Sequence, residues 1–362
     1  MIRRVLIPLV AGFVLFSALP VRATPLEPAA FPSLESAIRI RGPLTFCGER
    51  VPLEDSQVRE RLEKELLLML WDRAQIILYL KRSTRFFPHI ERVFSGAGLP
   101  SDLKYVAVIE SALLSHAGSH AGARGVWQFI RSTGRNYGLT VNRYIDDRRN
   151  FHFATRAAAR YFRDLYGMFG SWTMACAAYN MGEKGLERRV RQQKVSNYYR
   201  LHLPLETQRY MLRAIAAKII LSDPARFGFR LEPRDHYPPI RFDRVRLKTR
   251  WTVPVVVIAE AAKTDFKGIK DLNPQLLDDV VPGGDHSLFL PEGAARNFAK
   301  RFQPLIEKYR ASYRGKSYTV RRGDTLSAIA RKHGMPLSRL LKLNGMHRRS
   351  TIHPGQKLVI MK

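Results

Sequence analysis

Leu99-Pro100-Ser101-Asp102-Leu103-Lys104-Tyr105-Val106-Ala107-Val108-Ile109-Glu110-Ser111-Ala112 is the stretch on which the reading of this chain turns. Ser101 is a good helix N-cap, and Asp102 in the first turn complements the helix dipole. Leu103, Val106, Ala107, Glu110 and Leu114 recur at helical spacing, so Glu110 falls on the apolar stripe itself. Two readings stand for such a residue. It is a boundary glutamate paired with a cation, or a carboxyl kept protonated by desolvation and poised as a general acid.

The residues that follow favour the acid. Ser115, His116, Gly118, Ser119, His120, Gly122 and Gly125 form a small, polar, turn-rich loop that can pass close to a ligand. Trp127, Gln128 and Phe129 then set one amide between two rings, a pattern suited to pyranose faces and acetamido groups. Further on, Trp172 to Met181 reads as a helix ended by Gly182, and Pro204-Leu205-Glu206-Thr207-Gln208-Arg209-Tyr210 opens another.

Together these pieces resemble the soluble lytic transglycosylase family, in particular its membrane-bound D-type branch. The shared features are Glu110-Ser111 at a helix end, the small-residue loop, and Gly125-Val126-Trp127-Gln128-Phe129, with Val126 where Leu is usual. Ala178-Tyr179-Asn180-Met181-Gly182 resembles the family's Ala-Tyr-Asn-Ala-Gly element, and Glu206-Thr207 with Tyr210 its Glu-Thr-x-x-Tyr element. The resemblance implies an α+β protein whose catalytic part is mainly α-helical and lysozyme-like. It also implies Glu110 as catalytic acid, with Ser111, Gln128, Tyr179, Asn180, Glu206 and Tyr210 around the saccharide. No metal and no small-molecule cofactor are expected.

Composition bounds the rest. The chain has 362 residues, 45% hydrophobic and 25% charged, enough for two or three globular domains. Its formal charge of +30 demands anionic surroundings. Nucleic acid is the usual thought, but the N-terminus argues against it. Met1 to Ala23 has Arg3 and Arg4, an apolar run and a small-residue end, the pattern of a cleaved export signal. Removing its three arginines from +30 leaves +27. A buried helix or a membrane anchor is the other reading, weakened by Pro8, Gly12 and Pro20. No cysteine lies near Ala23, so a lipid anchor is not expected, and a periplasmic or envelope location follows. Cys47 and Cys176 are either a disulfide or two buried thiols.

Residues 24–98 read as an extended, Pro-rich entry segment and packing helices. Asp55 serves as an N-cap, and Pro88 restarts the chain in a shorter helical piece. The lysozyme-like part spans 99–230. Val253 to Ile258 is β-prone. Ile258-Ala259 and Ile329-Ala330 lie 71 residues apart, as do Leu272-Asn273 and Leu343-Asn344, while Pro282-Gly283 and Pro354-Gly355 lie 72 apart. Two copies of a small β-α-α-β unit, at 240–310 and 316–362, are the natural reading. The second closely resembles the LysM module, a binder of N-acetylglucosamine-containing glycans. Gly323, Asp324, Thr325, Asn344, Pro354 and Gly355 are its candidate binding residues, with Asp324 or Thr325 as helix cap. The first lacks the Gly-Asp-Thr turn, so it is either a spacer or a second binder. Residues 318–362 hold ten Lys or Arg and one acid, a net +9.

The expected partners are therefore peptidoglycan glycan strands and anionic envelope polymers, not nucleic acid. The resemblance implies cleavage between N-acetylmuramic acid and N-acetylglucosamine with closure of a 1,6-anhydro ring. A lysozyme-type hydrolase of the same bond and a non-catalytic wall-binding scaffold are the alternatives.

Overall fold

The computed structural model describes residues 32–40, 42–314 and 317–360. The expected export signal, 1–23, lies outside them. Among the described residues no helix is long and apolar enough to cross a membrane.

Three separate apolar cores organise the described residues. The first and largest gathers residues from Ala37 to Phe229, so the segment ahead of Leu99 shares one core with the lysozyme-like part. Its frame is helical: Ser56–Trp71, Arg73–Ser95, Lys104–Ser111, Phe151–Phe169, Trp172–Met181, Glu183–Gln193 and Leu205–Ser222. Asp55 caps the first of these through Gln57 and Val58 N–H, as its position predicts. The break between the first two falls at Asp72, whose side chain caps Gln75 N–H. Pro88, expected to restart the chain, instead lies inside Arg73–Ser95. Phe86, Ile90 and Phe94 bury one face of that helix at four-residue spacing, and this burial outweighs the ~3 kcal/mol cost of an interior proline.

The N-terminal entry segment is stitched to the core by polar contacts. A hairpin pairs Thr45–Phe46 with Glu49–Arg50. Glu49 accepts hydrogen bonds from Thr173 N–H and from the Ser171 and Thr173 hydroxyls, placing a carboxylate at the N-terminus of Trp172–Met181. Cys47 N–H donates to Asp102, which also takes the Lys218 ammonium at 2.7 Å. Asp102 is therefore a tether between three segments as well as a first-turn acid. Cys47 and Cys176 are both buried free thiols.

The second core spans Leu247 to Ile306 and includes Ile145 from the lysozyme-like part. Phe242–Thr249 pairs antiparallel with Gly284–Pro291, Val245 opposite Leu288. Helices Val255–Ala261 and Phe266–Leu272 lie between them in sequence, and Phe298–Arg314 follows. The β-prone Val253–Ile258 thus keeps only two strand residues, Val253 and Pro254, before turning helical. Pro254 is the extended N-cap residue of that helix, and Val255, Ile258 and Ala259 are buried along it.

The third core is that of Ser317–Thr319, Leu326–Lys332, Leu337–Leu343 and Lys357–Val359, with Tyr318 opposite Leu358. It repeats the second unit's architecture in detail. Asn273 accepts from Phe289 N–H and donates to the Phe289 and Ile269 carbonyls; Asn344 does the same with Val359 and Leu340. In both units an asparagine ends the second helix and locks it to the last strand.

Candidate active site

The helix carrying Glu110 is only eight residues long. It is preceded by a 3-10 turn, Ser101–Leu103, whose N-cap is Pro100, so Ser101 makes no capping bond. The helix ends abruptly because Ala112 and Leu113 both adopt left-handed backbone, at φ 54° and 59°. Such residues without glycine's freedom are strained and persist where surrounding contacts hold them. Here Leu113, rather than the expected Leu114, is sunk in the core, and Arg82 donates to the Ala112 carbonyl at 2.9 Å. The result places Glu110 in the last turn, partly buried, at the edge of the loop that follows.

Burial pushes the Glu110 carboxyl up from its ordinary value near 4.5 to about 7, against the opposing pull of Tyr210 and Arg213. Tyr210, almost fully buried, donates its hydroxyl to Glu110 Oε1 at 2.5 Å. Burial and the neighbouring Glu110 hold the Tyr210 and Tyr179 hydroxyls protonated well above the ordinary tyrosine value. Glu206 also acts on Glu110, raising it, but is more than half exposed and paired with Arg213 at 3.1 Å.

Tyr179 donates to the Trp127 carbonyl at 2.6 Å, and its ring stacks on Phe162 at 4.6 Å. Asn180 Oδ1 accepts from Thr207 Oγ1 at 2.8 Å, joining Trp172–Met181 to Leu205–Ser222; its amide nitrogen has no acceptor among the described residues. Ser111 is buried, and its hydroxyl lies 2.8 Å from the Val126 carbonyl and 3.2 Å from that of Ala107. It fastens the helix end to the loop from inside. Gln128 sits in left-handed backbone at φ 45°, and its amide nitrogen donates to the Gly125 carbonyl at 2.7 Å, which leaves its oxygen as an acceptor.

The rings beside Gln128 are not a sugar platform. Trp127 is fully buried, donating Nε1–H to Thr155 and packing against Phe94 and Phe162, and Phe129 is buried against Tyr161 and Tyr179. The left-handed turn at Gln128 directs both rings to the core. Asp146 forms a buried bidentate pair with Arg148, whose guanidinium also donates to the Gly122 and Phe129 carbonyls. Asp147 accepts from Thr140 N–H.

Arg213 went unnoticed in the sequence. It lies three residues after Tyr210 and seven after Glu206, on the same helical face, and that spacing was the available signal. Its buried Nε has no partner among the described residues.

In the C-terminal unit Thr325 is the helix cap, accepting from Ala328 N–H. Asp324 accepts from Arg321 N–H and the Tyr318 hydroxyl, which hold its carboxyl below the ordinary value. Gly323 and Gly355 take left-handed backbone, and Pro354 precedes the second of these turns. Asn344 is committed to the internal lock described above.

Residues 95–201 match the transglycosylase SLT domain and residues 318–360 the LysM domain. A 46-residue match is 48% identical to N-acetylmuramoyl-L-alanine amidase sle1 of Staphylococcus saprophyticus, covering 13% of this chain and 14% of that protein. A 47-residue match is 49% identical to the uncharacterized lipoprotein YgeR of Escherichia coli, covering 13% of this chain and 19% of that protein. Membrane-bound lytic murein transglycosylase D of Escherichia coli is 30% identical over an alignment of 332 residues that covers 87% of this chain and 72% of that enzyme. The chain therefore belongs to the family of membrane-bound lytic murein transglycosylase D, the SLT-domain peptidoglycan lytic transglycosylases, and ends in a LysM domain.

Proposed function

We propose that Glu110 cleaves the β-1,4 bond between N-acetylmuramic acid and N-acetylglucosamine without water, leaving 1,6-anhydro-N-acetylmuramic ends. The observation carrying this reading is one partly buried carboxyl, raised to about 7 by desolvation and steadied by Tyr210. Such a group is protonated at neutral pH yet able to accept the proton back. Glu110 gives its proton to the glycosidic oxygen as the C1–O bond breaks. The substrate's own acetamido oxygen meets the positive charge at C1. The Glu110 carboxylate then takes the C6 hydroxyl proton while O6 bonds to C1, so the proton count closes and no water is consumed.

The remaining residues serve binding. Asn180 offers its amide hydrogens and Gln128 its amide oxygen to hydroxyl and acetamido groups. Tyr179 and Ser111 hold the walls on which those residues stand. Glu206, held by Arg213, orients rather than transfers a proton. The catalytic part is assigned to 99–230 and wall retention to the LysM unit, 316–362, with Gly323, Asp324, Thr325, Pro354 and Gly355 shaping its turns. The location is the cell envelope, reached through the signal at 1–23, where anionic polymers meet the basic surface.

Mass spectrometry of digested sacculi tests the reading. Anhydro-muropeptides are expected. Reducing muropeptides would replace it with a hydrolase in which Glu206 acts as the second carboxylate. Absence of any released product would leave a wall-binding scaffold.

A further inference from the structure

Phe151–Phe169 turns Phe153, Arg156 and Arg160 toward the second unit at helical spacing. Across the junction, Arg244 projects from Phe242–Thr249, where it stands opposite Phe289. A cavity of about 260 Å³ lies between them, and a wider one of about 510 Å³ adjoins it. Arg156 and Arg244 line both. None of Arg156, Arg160 and Arg244 has an ion pair among the described residues.

Two carboxylates, Asp147 and Asp285, line the smaller cavity, and Glu292 lines the wider one. Asp147 accepts from Thr140 N–H, Asp285 is held bidentately by Arg246, and Glu292 pairs with Arg241. Partly buried imidazoles lie beside the same arginines. His89 and His152 touch at 3.2 Å in the wider cavity, and burial, with Arg156 close to both, keeps each ring unprotonated at neutral pH. Burial and the adjacent Arg244 and Arg160 also lower Arg156. His286, on the wall of the smaller cavity, has a buried Nε2 with no partner among the described residues.

Three guanidiniums around a recess, none of them ion-paired among the described residues, suit a compact dianion. Planar forked donors grip tetrahedral oxyanions through paired, charge-assisted hydrogen bonds. A phosphoryl group carries close to two charges at neutral pH, where a carboxylate carries one. We propose that this junction is a second binding site, separate from the Glu110 groove, which takes a phosphoryl group between Arg156 and Arg244. Its occupation neutralises the seam and fastens the lysozyme-like part to the unit that follows it.

Isothermal titration of the full chain with inorganic phosphate, against chloride and acetate at matched ionic strength, tests this. Saturable phosphate binding is expected, weakened roughly 10- to 100-fold by Arg156→Gln or by Arg244→Gln. Arg322→Gln, in the basic tail and in the lining of neither cavity, should bind phosphate as the wild type does. Without phosphate, Arg156→Gln should melt no lower than wild type, because it relieves crowding of like charges. Cleavage of short soluble glycans should be unchanged in that variant, so the outcome is independent of the Glu110 reading. Sedimentation with phosphatidylcholine vesicles, with and without phosphatidic acid, identifies the source. Arg156-dependent capture by phosphatidic acid assigns a lipid headgroup, and phosphate binding without capture assigns a free phosphate. Absence of saturable binding, equal binding of acetate, or unchanged binding in both arginine variants would overturn the proposal.

Discussion

Glu110 shows how a single side chain gains its chemistry from its setting. Its folded-state value of about 7 lies above its ordinary 4.5, so the folded protein holds a proton that the unfolded chain releases between those values. Stability contributed by that proton is present below about 4.5 and is lost as pH rises through about 7. Glu110→Gln, neutral at every pH, should match wild-type stability at pH 4 and exceed it at pH 8 by an amount on the order of 1–3 kcal/mol. Cleavage should fall ~10²–10⁴-fold, since the amide cannot deliver a proton. In the wild type kcat/KM should decline above pH ~7 as the acid form is lost. Urea melts at both pH values, with turnover of purified sacculi on the same preparation, check this. Near wild-type turnover by the variant would remove Glu110 from its role.

At the scale of elements, the lesson concerns where a short helix stops. Helical periodicity made the inner face of Lys104–Ser111 legible, since Leu103, Val106 and Ala107 are all buried. It did not show the stop, because Ala112 and Leu113 carry no glycine or proline signal for their left-handed turn. The same limit explains Trp127 and Phe129. Their spacing around Gln128 looks like an exposed platform until the backbone reverses at Gln128. Asn180 and Thr207 lie 27 residues apart and meet only through packing of two helices. Gly125, by contrast, is dictated by space as well as by its φ of 81°, for an added Cβ would sit 1.8 Å from the Arg148 carbonyl oxygen. Gly125→Ala should therefore destabilise the chain by about 2 kcal/mol or more and displace the turn that holds Gln128. Gly122→Ala, with similar backbone at φ 79° but open space around it, isolates the backbone cost. Thermal melts of the two should differ markedly; equal melting temperatures would mean that the Arg148 contact yields without cost.

For the whole molecule, the internal repeat was the most legible long-range feature, because each copy must close its own small core. The 71-residue offset places Asn273 and Asn344 in identical locks, even though the first copy lacks the Gly323-Asp324-Thr325 turn. Less legible was the arginine seam, since Arg156 and Arg244 come together only when the lysozyme-like part docks on the strand pair behind it. The tail's separate core implies that it can be removed without opening the other two. Deleting residues 316–362 should leave cleavage of short soluble glycans largely intact and weaken retention on insoluble peptidoglycan. The proposed function gives that tail two holds on the wall, and salt separates them. Recognition of N-acetylglucosamine by turns and hydrogen bonds is short-ranged and nearly indifferent to ionic strength. Attraction of its net +9 to anionic polymers is screened over ~8 Å at physiological salt and ~3 Å at 1 M. Sacculus pull-downs across a salt series should therefore show the intact chain losing part of its retention and keeping a salt-resistant remainder. The truncated chain should lack that remainder. Equal salt-resistant retention by both would place the wall-binding surface outside the LysM unit, with the Asn273-locked first copy as the next element to remove.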